Sequence, residues 1–159
     1  MAKTGKTKTG RCAIGFDLGG TKMRVLVVDE NFKILAMVKK STKAEIGAGE
    51  GVKRMKACID EAMAVAGIQK GDLNSIGFGL PGVLDAEKGV ILRLINVGWV
   101  NVAVGKIFGK EYGVPVAIDN DVNAGAYGEY RLGAGRNHSN MVGISPGTGI
   151  GGGVIVDGK

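Results

Sequence analysis

The sequence predicts an α/β domain built on a mixed sheet whose first three strands run antiparallel. Three observations lead there. Residues 12–38 fall into three short strand-like runs separated by tight turn signals. The apolar positions then change period, to spacings of three and four. After that, helix-like and strand-like stretches alternate to the end of the chain.

In order, residues 1–11 are a polar, basic lead-in that predicts a disordered tail. Residues 12–16 read as a strand that stops at Asp17-Leu18-Gly19-Gly20, residues 23–29 as a second, and residues 33–38 as a third after the turn Asp29-Glu30-Asn31. Gly47 to Gly51 reads as a glycine-rich linker. Val52, Met55, Ile59, Met63 and Ala66 then mark an amphipathic helix ending at Gly67. Residues 75–80 form a fourth strand, ended by Pro81-Gly82, and shorter strand-like pieces surround residues 90–94. Residues 102–112 read as a helix with Gly113 as its C-cap, and residues 114–118 as a fifth strand. A small-residue helix is expected over 122–132, with Asp121 near its start. Residues 141–145 and 154–156 are two further strands joined by a glycine cluster. This order resembles the ribonuclease-H-like core of the actin and hexokinase superfamily.

The 159 residues fit one ordinary domain, and 45% hydrophobic with 23% charged residues is a soluble, globular composition. The net charge of +6 would suit nucleic acid. Its distribution does not, because Lys3, Lys6, Lys8 and Arg11 all precede the first acid, Asp17, and the rest is close to balanced. Aromatics are too few for a single-strand stacking platform. Cys12 and Cys58 have no metal-ligand or disulfide-framework spacing and read as reduced core residues. No apolar stretch approaches a membrane span or a secretory signal, so a cytoplasmic chain is expected.

Glycine is the outlier, at 29 residues, concentrated in two clusters. Gly147-Thr148-Gly149-Ile150-Gly151-Gly152 fits G-x-G-x-x-G, but Val154-Ile155-Val156 follows where a dinucleotide site needs a helix. Gly5-Lys6-Thr7 is a P-loop fragment without the leading glycine or buried strand. Gly15-Phe16-Asp17-Leu18-Gly19-Gly20-Thr21-Lys22 is a better candidate. Its glycines let backbone N–H groups approach phosphate oxygens, Thr21 can donate a hydrogen bond, and Lys22 adds charge. Asp17 suits a hydrated magnesium ion, which favours one carboxylate plus water. The plainer alternative is a Gly-Gly hairpin turn.

Two further segments bear on the choice. Ser145-Pro146-Gly147-Thr148-Gly149-Ile150-Gly151-Gly152-Gly153 holds more glycine than a hairpin needs, and Ile118-Asp119-Asn120-Asp121-Val122-Asn123-Ala124 sets three polar side chains at a strand-to-helix junction. With these motifs in this order, the chain from about residue 13 to 159 resembles the ROK family of bacterial sugar kinases, whose type activity is glucokinase. The resemblance implies an ATP-dependent hexose kinase, with glucose as the leading substrate and ATP and Mg2+ as cofactors. Gly15 to Lys22 would be the first phosphate loop, and Gly147, Thr148, Gly149, Ile150, Gly151, Gly152, Gly153 and Val154 the second. Asp121 matches the catalytic base, Asn120 and Asn96 match sugar-hydroxyl ligands, and Gly82 lies where backbone meets the sugar. Phosphoryl transfer asks the protein chiefly for positioning and charge neutralisation. Asp121 would take the proton of the attacking hydroxyl, although an isolated Asp at such a place is more often a helix N-cap.

The resemblance also sets limits. Pro146 replaces an apolar residue and removes a backbone donor, and Ile95 with Val97-Gly98 departs from the Pro-Asn-Leu-Pro-Gly pattern around Asn96. Residues 12–135 correspond to an N-terminal actin-like ATPase domain and 136–159 to the start of a second. That second domain's Glu-x-Gly-His clamp, zinc site and adenosine pocket are not in this sequence, and His138 reads as a surface residue. The expectation is a truncated kinase with an exposed apolar face, while family resemblance implies a homodimer. The alternatives are a non-catalytic half-domain that binds phosphate or sugar or pairs with a partner chain, and a ROK-type sugar-responsive repressor.

Overall fold

The computed structural model describes residues 11–94, 97–146 and 150–159. It opens with β1 (Cys12–Leu18), β2 (Lys22–Val28) and β3 (Ile34–Ser41), with β2 antiparallel to both neighbours. The long helix α1 (Gly47–Ala66) carries the chain back, so that β4 (Leu73–Leu80) lies parallel to β1. Three short strands follow, β5 (Val83–Asp85), β6 (Val90–Leu94) and β7 (Trp99–Val102), in an antiparallel sheet of their own. Helix α2 (Val104–Tyr112) returns to β8 (Val116–Asn120), parallel to β4. Helix α3 (Asp121–Leu132) begins where β8 ends, and β9 (Met141–Pro146) and β10 (Ile150–Ile155) close as a hairpin. The central sheet runs β3-β2-β1-β4-β8, mixed as expected.

One face of that sheet makes the core. Cys12, Ile14, Phe16 and Leu18 alternate onto it from β1, and Ile76, Phe78 and Leu80 from β4. Helix α1 covers them with Met55, Cys58, Ile59, Ala62 and Met63, at the spacings that put residues on one helical face. A chain of rings links the layers, with centroids 5.2 Å apart for Phe16–Phe78, 4.8 Å for Phe78–Phe108 and 6.2 Å for Phe108–Tyr112. Burying each such side chain contributes about 1.5–3 kcal/mol. Glu111 on α2 pairs with Lys56 and Lys70, each at 2.8 Å, and these hydrogen bonds hold its carboxyl at about 2, well below the usual range. The opposite sheet face carries Gly15, Asp17, Gly77, Ala117 and Asp119, all exposed.

The structure corrects several sequence-based boundaries. Gly47 to Gly51 is not a linker but the first turns of α1. The reason is packing, since a Cβ at Gly51 would lie 1.9 Å from the Trp99 ring. Val102 belongs to β7, where it pairs with Ile91, so α2 starts two residues later than its apolar pattern suggests. Strands β5 and β7 have no strong periodic signal, and Ile150 to Gly153 are strand rather than loop. Cys12 and Cys58 are buried and form no disulfide. Among the described residues no helix is long and apolar enough to cross a membrane.

Candidate functional site

Because β1, β4 and β8 are parallel, their C-terminal ends lie side by side, where open α/β sheets collect ligands. The register places Arg24 opposite Asp17, Asp17 beside Gly79, and Gly79 beside Asp119. That row lies across the exposed sheet face. Gly79 leaves room for the start of α3, since a Cβ there would meet the Asp121 Cα at 3.4 Å. A cavity of about 980 Å³ opens over the row, and its walls include Asp17, Arg24, Asp119, Asp121, Glu129 and Ser145.

Asp17 is exposed to the cavity, and the protein around it shields it in part. The lost hydration raises its pKa above the ordinary carboxylate value, the Arg24 charge pulls it down, and Asp121 pushes it up. A cation beside Asp17 would offset the lost hydration of its ionised form. Among the described residues no cluster of three or more acidic, His or Cys ligands could hold a metal. A cation here would therefore rely on Asp17, water and ligand oxygens, a set that fits magnesium.

The β8–α3 junction divides the work between its polar residues. Asn120 is the N-cap of α3, and its Oδ1 accepts from the N–H groups of Val122 (2.9 Å) and Asn123 (3.3 Å). Asp119 Oδ1 accepts from the Asn120 N–H at 2.7 Å and from Asn123 Nδ2 at 3.4 Å. Asp121 is thus not the cap. One of its oxygens, Oδ1, accepts from the Val122 N–H at 3.0 Å, and the residue lies in the cavity wall at the positive end of α3.

The remaining expected residues are arranged unevenly. In the first glycine loop, Gly15, Phe16 and Asp17 line the cavity, while the side chains of Phe16 and Leu18 turn into the core. Gly19, Gly20 and Thr21 make the β1–β2 turn, closed by a Gly19 N–H donating to the Lys22 carbonyl at 2.9 Å. A Cβ on Gly19 would press on that same carbonyl at 2.9 Å. Thr21 and Lys22 are exposed outside the cavity wall. Gly82 has φ 117° and a structural demand of its own, because a Cβ would come within 2.4 Å of the Arg93 carbonyl oxygen.

In the second glycine segment, Gly151 and Gly153 face α3, where a Cβ would lie 2.7 Å from Val122 Cγ2 and 2.5 Å from Ala126 Cβ. Ile150, Gly152 and Val154 face outward. Asn96, Gly147, Thr148 and Gly149 lie outside the described residues. Sequence reasoning gave no role to Arg24 or Asp119. Arg24 is two places past Lys22 on the same strand face, and only the β1–β2 register reveals its partner.

Comparison with known proteins gives a consistent result. The ROK family pattern matches residues 13–159. A glucokinase of Thermotoga maritima is 38% identical over 147 residues, which cover 91% of this chain and 44% of that protein. A xylose repressor of Caldicellulosiruptor bescii is 30% identical over 148 residues, covering 92% of this chain and 37% of that protein. Among solved structures, a ROK family glucokinase from Streptomyces griseus in complex with glucose and AMPPNP superposes with a TM-score of 0.81 at 35% identity. The match covers 93% of this chain and 45% of that one. The chain therefore spans about half the length of the kinases it matches.

Proposed function

The chain belongs to the ROK family, and from that membership we propose that it is the nucleotide- and sugar-binding part of an ATP-dependent hexose kinase, with glucose as the leading substrate. The observation that carries this reading is the β8–α3 junction. Asn120 performs the capping, and Asp121 lies in the wall of the cavity that Asp17 also lines.

In the proposed reaction the sugar hydroxyl attacks the γ-phosphorus of ATP, the bond to the bridging oxygen breaks, and ADP leaves. Asp121 accepts the hydroxyl proton as the new O–P bond forms. Asn120, with Oδ1 held by α3, offers its Nδ2–H groups to sugar oxygens, and Asn96 is the second sugar ligand. The first glycine turn and the segment from Gly147 to Val154 receive the phosphates. Mg2+, when bound, neutralises phosphate charge, and Asp17 would hold it through water. Residues 136–159 then begin the second lobe that faces this site.

The test is ADP formation with and without glucose, alongside calorimetric titration with Mg·AMPPNP and with glucose. Asp121→Asn is expected to lower kcat by about 10²- to 10⁴-fold while nucleotide binding persists. Equal turnover by the variant would refute the assignment of the base. The bare outer face of the β9–β10 hairpin favours a second reading, in which this chain binds ligand but lacks the closure that turnover requires. Binding without turnover supports that reading. Binding of duplex DNA without nucleotide would support a sugar-responsive repressor instead.

A further inference from the structure

Thr42 follows directly after β3 and is the only polar residue buried among the described residues, 2% exposed. Both of its donors are spent on one turn. Its hydroxyl donates to the Gly19 carbonyl at 2.7 Å, and its N–H donates to the Thr21 carbonyl at 2.9 Å. The Lys22 carbonyl is already taken by the Gly19 N–H. Three carbonyls of the glycine turn are therefore held by protein donors, two of them by this single residue. Among the described residues, the N–H groups of Gly20 and Thr21 have no protein acceptor.

This division has a direct electrostatic meaning. A peptide unit cannot rotate its carbonyl without rotating the N–H that shares its plane. The Gly19 carbonyl belongs to the same peptide as the Gly20 N–H. Fixing the carbonyl on Thr42 thus fixes which way the Gly20 N–H points. Gly-Gly sequences otherwise sample many orientations, and an anion would have to select one of them at an entropic cost. Thr42 removes that freedom before any ligand arrives.

We propose that Thr42 is a positioning residue for the nucleotide: by clamping the Gly19 carbonyl it presets the Gly20 N–H donor for a phosphate group, while its hold on the Thr21 carbonyl anchors the far side of the same turn. This rests on the kinase reading above. Thr42 touches neither substrate nor reacting atoms, so its signature is a selective loss of nucleotide affinity.

The experiment compares the unaltered chain with Thr42→Val, which keeps the branched shape, and Thr42→Ser, which keeps the hydroxyl. Titrations use Mg·AMPPNP and, separately, glucose, with thermal melts as a check on folding. Thr42→Val should bind Mg·AMPPNP about 3- to 10-fold more weakly, the scale of one net hydrogen bond. Its glucose affinity should stay within twofold, and Thr42→Ser should restore nucleotide binding to within twofold. If turnover is measurable, KM for ATP should rise more than kcat falls. Equal nucleotide affinity in Thr42→Val overturns the proposal, and so does an equal loss for glucose and nucleotide. Should valine fail to fold, Thr42→Ser and Thr42→Ala differ only in the hydroxyl, and the ratio of their affinities decides the same point. Failure of the unaltered chain to bind Mg·AMPPNP is a different result, one that overturns the kinase reading and this role with it.

Discussion

A carboxylate that faces solvent but is partly shielded by protein is less well hydrated than one in open water, and its charged form is disfavoured accordingly. Asp17 is in that position, with Arg24 offsetting part of the penalty and Asp121 adding to it. Its pKa in the folded chain lies above the unfolded value. Whatever stability this group contributes is therefore present below the unfolded pKa and is lost as pH rises through the folded one. At neutral pH an ionised Asp17 is a net burden on the fold. Asp17→Asn should consequently melt higher than the unaltered chain at pH 7, with the gap closing as pH approaches 4, while its affinity for Mg·AMPPNP falls. Calorimetric scans at the two pH values check the first half, and titration checks the second. A lower melting point for Asp17→Asn at pH 7 would contradict the electrostatic account. The same scale shows what the sequence could reveal about the junction. Asp119-Asn120-Asp121 was visible as a polar run, but which of the three capped the helix depended on backbone angles, and these assign the cap to Asn120.

Helix α3 and the β9–β10 hairpin meet through missing side chains. Gly143, Gly151 and Gly153 lie against Val122 and Ala126, so the hairpin backbone approaches the helix more closely than any Cβ would permit. Gly153→Ala should destabilise the chain by about 1–3 kcal/mol, as overpacked positions do. Gly152→Ala, on the outward face, meets nothing closer than the Gly143 carbonyl oxygen at 3.3 Å. Its cost should stay below about 1 kcal/mol, because that single contact is shallow and is offset in part by the smaller freedom alanine loses on folding. Urea unfolding of both variants measures the difference, and equal effects would deny the contact. Local propensity explains why these elements were only partly legible. Strands β1 to β4 and helix α1 follow from periodicity in their own residues. Gly51 and Gly153 carry the opposite local signal, and their reasons lie in Trp99 and Ala126, which sequence spacing does not bring near. Arg24 was unmarked for a similar cause, since a cross-strand partner is a matter of register.

At the scale of the molecule, the hairpin turns an unusual surface to solvent. Val142, Ile144, Ile150, Val154 and Val156 are 57–85% exposed, and the hairpin has no third strand on either edge among the described residues. An apolar patch flanked by unpaired strand edges invites association. The chain should self-associate as its concentration rises, and Ile144→Lys with Val154→Lys should suppress this without lowering the melting point by more than a few degrees. Sedimentation velocity over a hundredfold concentration range tests it, and a monomer throughout would refute it. The fold class was legible at this scale because alternation and period carry it. The bare face could be expected only from the family resemblance, because strand patterning does not say whether a partner is present.

The strand order β3-β2-β1-β4-β8 also implies a timetable for assembly. The β1–β2–β3 meander joins neighbours in sequence, and such short loops close cheaply and early. The parallel pairings wait for distant segments, Cys12 for Leu73 and Ile76 for Val116. The Gly19–Lys22 turn and its Thr42 clasp therefore belong to the part of the chain that can organise first, while Asp119 and Asp121 arrive with the last strand of the sheet. On the kinase reading proposed above, a newly made chain would organise its proposed phosphate turn before its proposed base is in place.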